Sequence, residues 1–103
     1  MFLNKYLSAF YLNLVYDNYD EDFIASLNEN NFIKIHNLLL KEGFYFIEDI
    51  IINYLELFLV DENDLKKALL VYKNKYGPSY PAYIGQNMTI LSDILKFCIC
   101  SSD

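Results

Sequence analysis

No arginine and no tryptophan occur in these 103 residues. All eight basic residues are lysines, set against 14 aspartates and glutamates, for a net charge of −6. Arginine supplies the planar fork that grips phosphates and base edges, and phosphate neutralisation dominates nucleic-acid affinity. An acidic, arginine-free chain is a poor nucleic-acid binder. Its expected partner is another protein with a basic surface, because opposite potentials speed encounter.

Cysteine, histidine, glycine and proline are also scarce. Cys98 and Cys100 stand too close in sequence for a low-strain disulfide with each other. With His36, the single histidine, they fall short of a four-ligand zinc site. Reduced thiols in a cytoplasmic protein are the expectation. No uncharged apolar run reaches the roughly 18 residues that a membrane span needs. The apolar start, residues 1–16, is interrupted by Asn4 and Asn13, and no small-x-small cleavage site follows. Asn87-Met88-Thr89 fits the glycosylation pattern, which a cytoplasmic chain would not use.

What the chain does contain is apolar bulk. Hydrophobic residues make up 54% and aromatics 17%, enough for a core within one all-helical domain spanning 1–103. The lean toward Asn, Ile, Lys, Tyr and Phe is what an AT-rich genome encodes, and points to a bacterium, phage or mobile element. Leu3, Leu7, Phe10 and Leu14 predict a helix over 2–16. The acidic turn 17–22 breaks it and opens a short helix over 19–27, carrying Phe23, Ile24 and Leu27 inward. A third helix, 30–42, buries Phe32, Ile35, Leu38 and Leu39 and ends at Gly43.

Residues 44–60 are apolar except for Glu48 and a stripe of Asp49, Asn53 and Glu56. The Ile50-Ile51-Ile52 run suits a strand on propensity. Length and the recurrent stripe predict one central helix instead, largely buried by its neighbours. Asp61 caps the next helix, which carries Leu65, Ala68, Leu69 and Tyr72 inward and stops at Gly77-Pro78. A loop over 77–87 and a last helix to about Cys100 complete a compact bundle of five to six helices.

Chemistry-bearing patterns are weak. Taking Asp17 as first ligand of a calcium loop puts Asp22 where glycine is required and Asn28 where glutamate is required. Glu48, Asp49 and Glu56 lack the Glu-x-x-His partners of a di-metal bundle. His36, between Ile35 and Leu38, reads as a surface or helix-flank residue with no adjacent nucleophile. No enzyme, metal or cofactor is expected. Lys66, Lys67, Lys73 and Lys75 read as a solvated face that could meet phosphate or an acidic partner. Tyr76, Tyr80 and Tyr83, among Gly77, Pro78 and Pro81, form either an interface or a lid over the core.

The candidate partner-binding residues are therefore Asp20, Glu21, Asp22, Asp49, Asn53, Glu56, Tyr76, Tyr80 and Tyr83. Short acidic chains without a chemical centre occur as immunity proteins, antitoxins and phage-encoded inhibitors of host defence. The leading expectation is an acidic module that neutralises a partner protein. The alternative is a self-associating structural or regulatory subunit, in the simplest case a homodimer.

Overall fold

A computed structural model of the chain describes residues 2–100. Among them lie a 3-10 turn at Phe2–Lys5 and seven α-helices: α1 (Ala9–Asn18), α2 (Glu21–Ala25), α3 (Glu29–Glu42), α4 (Ile47–Asn53), α5 (Glu62–Tyr76), α6 (Tyr80–Gln86) and α7 (Ile90–Cys100). A second 3-10 turn, Leu55–Leu59, follows α4. The all-α class read from periodicity is what the structure has. The Cys100 side chain, read with Cys98 as a reduced thiol, lies outside what is described.

Local chemistry sets most helix ends. Ser8 accepts from the Tyr11 amide to start α1, and Asn28 accepts from Asn31 to start α3. Asp61 accepts from Asn63 to start α5. Gly43 ends α3 at φ 96°, with its own amide on Leu40 and that of Phe44 on Leu39. That is the paired hydrogen-bond pattern of a Schellman cap, and its left-handed residue favours glycine.

The segment 44–60 is the hub of the core, as its apolar content implied, but it is not one helix. Ile50, Ile51, Leu55, Leu57 and Phe58 are all at most 1% exposed. The helix stops at Tyr54 (φ −138°, ψ 49°) and resumes as the 3-10 turn. Side chains from α1 and the residue after it replace the helical bonds this break removes. Asn18 Nδ2 donates to the Ile52 carbonyl at 3.0 Å, and the Leu55 amide donates to the Tyr19 hydroxyl at 3.0 Å. At the far end Asn31 Nδ2 donates to the carbonyls of Phe58 (2.7 Å) and Val60 (3.0 Å). Apolar residues face inward on both sides of the bend: Ile47, Ile50, Ile51 and Ile52 before it, and Leu55, Leu57 and Phe58 after it, are buried. α1 packs on α4, α3 on the 3-10 turn and α5, and α7 on α5. Phe32 stacks on Phe58 at 4.6 Å between ring centroids.

Two other expectations change. The predicted helix 2–16 is a 3-10 turn and a separate α1, because Ser8 begins a new helix and resets its face. Phe10, placed on the buried stripe, is 69% exposed, while Leu3, Leu7 and Val15 are buried. The predicted loop 77–87 holds α6. Pro81 sits in its first turn, where a missing amide costs no helical bond. Gly85 lets α6 lie close on the Phe46 ring: a Cβ there would sit 3.0 Å from a ring carbon.

Tyr19→Phe and Asn18→Ala each leave a backbone group at the α4 break without its partner. Each should lower unfolding free energy by about 1–3 kcal/mol in chemical denaturation. Phe10→Ser, at an exposed site, should stay within about 0.5 kcal/mol.

Candidate protein-interaction surface

The contacts that close the α4 break also assemble an acidic band. Asn18 and Tyr19 belong to the turn carrying Asp17, Asp20, Glu21 and Asp22, so that turn is fastened against residues 52–56. The Tyr19 hydroxyl donates to Glu56 Oε1, and its ring stacks on Phe23 at 5.2 Å. Burial first, then the bond to Glu56, pushes the Tyr19 phenol well above its ordinary range. Asp20 stands at the N-cap of α2, with Glu21 and Asp22 in its exposed first turn.

The polar stripe divides at the break. Asp49 and Asn53 remain neighbours on the exposed side of α4, where Asn53 Nδ2 donates to the Asp49 carbonyl at 3.1 Å. Glu56, beyond the break, is half-buried and joins the acidic turn through Tyr19. Glu56 also borders an open apolar groove of about 420 Å³ between the 3-10 turn and α7. Leu59, Val60, Leu95 and Ile99 line it, with buried Cys98 below. Its other charged lining residues are Asp61 and Asp64, so every charge on its wall is negative. Burial, aided by the Asp64 carboxylate, pushes the Cys98 thiol up to about 11. The ion pairs among the described residues are Lys5–Glu29 at 3.7 Å and Lys66–Glu62 at 4.0 Å. Neither engages a carboxylate of the acidic turn or the groove.

The three tyrosines separate. Tyr80 is 1% exposed, meets Phe44 edge-on at 5.7 Å and donates to Glu42 Oε1 at 2.6 Å. It is a core residue and cannot anchor a partner. Burial and that carboxylate hold its phenol far above its usual range. Tyr76 and Tyr83 stack on the outside at 4.0 Å, with Tyr72 beside Tyr76 at 6.3 Å and Lys75 Nζ 5.3 Å from the Tyr76 ring. Tyr76 ends α5 and Asp64 begins it, so about 18 Å of helix separates the tyrosine stack from the acidic groove. The structure does not bring these two sets together.

A second groove, of about 360 Å³, lies between α3 and α5, with Leu38, Leu69 and Leu70 flanked by Lys41, Lys66 and Lys73. Lys67 and Lys75 stand outside it. His36 is half-buried against the rings of Tyr6 (4.7 Å) and Phe32 (6.0 Å), and burial lowers its pKa. Among the described residues no three His, Cys, Asp or Glu side chains are grouped to hold a metal. No helix there is long and apolar enough to cross a membrane.

Sequence reading found the acidic turn and Glu56 but missed the groove. Its residues come from two segments some forty apart, and the available signal was only that Leu59, Leu95 and Ile99 are apolar. The chain matches no protein-family model, no curated protein and no solved structure.

The fold keeps Tyr19, Tyr80 and Cys98 protonated at pH values where an unfolded chain would release those protons. The Cys98 contribution is complete well below about pH 9 and lost as pH rises toward about 11, and that of the two phenols begins to be lost above about pH 10. The melting temperature followed by circular dichroism should therefore fall across that interval. Tyr80→Phe should flatten the fall, and should itself cost about 1 kcal/mol at neutral pH through the lost bond to Glu42.

Proposed function

We propose that this chain is an acidic protein-binding module that holds or blocks a basic partner protein in the cytoplasm. The mode of action is that of immunity proteins, antitoxins and phage-encoded inhibitors of host defence, and it involves no catalytic step. The observation that carries the reading is the acidic band itself: the backbone bearing Asp17, Asp20, Glu21 and Asp22 is fastened beside Glu56 through Asn18 and Tyr19, and among the described residues no lysine pairs with these carboxylates. A carboxylate neutralised within its own fold has little left to offer a partner. One without an ion-pair partner, held on a fastened backbone, keeps its field for a partner. Asp49 and Asn53 extend the polar surface along α4. Tyr76 and Tyr83 provide a separate aromatic contact, and Tyr80 takes no part.

Affinity capture from extracts of the source cell, with native and altered protein as bait, tests this. Asp20→Asn, Glu21→Gln and Asp22→Asn together keep the size of each side chain and remove three charges. A basic protein held by the native bait should be lost from the triple variant. An unchanged capture would overturn the assignment of this face.

The second reading is self-association, favoured by Leu40, Leu70 and Val71, each more than half exposed. Light scattering across a wide concentration range decides it, because a strict monomer removes it.

A further inference from the structure

We infer that the groove between the 3-10 turn and α7 seats an apolar side chain of a basic amphipathic helix on the partner, with Lys or Arg flanking that anchor. The inference rests on the protein-binding reading and gives it a partner chemistry. Leu59 and Ile99 are 44% and 61% exposed on the groove wall, and Leu95 is half-buried beside them. An apolar anchor entering here removes that surface from water. Amphipathic helices dock in this way, with anchors three or four residues apart.

The rim selects the sign of the partner. Glu56, Asp61 and Asp64 bring three negative charges and no lysine. The N-terminal end of α5 adds only about half a positive charge, so the local field stays strongly negative. Two of the three carboxylates are already ordered. Glu56 Oε1 accepts from Tyr19 and Asp61 Oδ1 accepts from Asn63, and each keeps its second oxygen for a cation.

The same rim argues against a second copy of this chain as occupant. A two-fold pairing through the groove would bring three carboxylates against three, without a cation between them. A neutral apolar ligand would draw nothing from the rim. The acidic turn continues the surface past Glu56, so a basic helix longer than its anchor keeps meeting negative charge.

The test uses the intact protein with a synthetic amphipathic peptide carrying leucines on one face and lysines on the other. Its counterpart has glutamate in place of lysine. Fluorescence anisotropy should show binding of the Leu/Lys peptide, weakened by added salt, and none of the Leu/Glu peptide. Leu59→Ser with Ile99→Ser should weaken binding at least about tenfold. Asp64→Asn should weaken it less and reduce its salt dependence. Both leucine and isoleucine sites are exposed, and circular dichroism checks that the variants fold. Amide shifts of the unaltered protein provide a reading independent of mutation. On titration they should move at Leu59, Leu95 and Ile99 and stay still at Tyr76 and Tyr83.

Shifts elsewhere only, or equal binding of the Leu/Glu peptide, overturn the groove assignment. If the captured partner is lost on neutralising Asp20, Glu21 and Asp22 but the groove variants change nothing, the groove falls and the protein-binding reading stands. If neither set of changes affects capture, the groove and the acidic face both fall.

Discussion

The fold depends on satisfying the backbone where its most buried segment stops being helical. A continuous helix from 47 to 59 would close its own hydrogen bonds; this chain instead changes from α-helix to 3-10 turn at Tyr54. Both halves bury their apolar residues, and the break leaves backbone groups at the bend. A buried, unpaired backbone group costs as much as the burial of a small side chain gains. Asn18, Tyr19 and Asn31 remove that cost from outside the segment. They also dictate where α1 and α3 must lie, so the packing of the first half of the chain follows from the bend in its middle.

Charge is distributed in keeping with that arrangement. From Glu42 to Leu65 the chain has no basic residue, and three of the lysines gather instead beside the α3–α5 groove. The acidic turn faces the middle of this lysine-free stretch because Asn18 and Tyr19 bind there. Net charge alone describes an acidic protein. The placement describes one whose negative field is concentrated on the surface around residues 17–22 and 56–64, next to exposed leucine and isoleucine. In the binding role proposed above, the apolar groove and single-sign rim would select together, since either part alone would accept many partners.

Elements whose limits are set by neighbours in sequence were legible from it. The quartet Phe32, Ile35, Leu38 and Leu39, the glycine stop at position 43, and the Asp61 cap with Leu65, Ala68 and Leu69 all rest on contacts within one or two turns. What escaped was set from far away. The residues that stabilise the break lie 34 and 36 positions from the groups they satisfy, and no periodicity records them. Helix α6 was hidden by Pro81 and Gly85, which punctuate most chains; here one fits the first turn and the other fits an aromatic ring. At the candidate site the acidic turn was readable as local charge. Its union with Glu56, the burial of Tyr80 and the groove all required the tertiary fold.

Tyr19 has one further consequence. Its hydroxyl accepts from the Leu55 amide while donating to Glu56, so each bond polarises the oxygen in favour of the other. The carboxylate at 56 thereby strengthens a backbone bond it never touches. Asp20, Glu21 and Asp22 stand exposed with no such tie to the interior, so folding constrains them less. Position 56 lacks that freedom. Substitution at 56 disturbs the fold as well as the surface charge, so folding itself holds that glutamate in place.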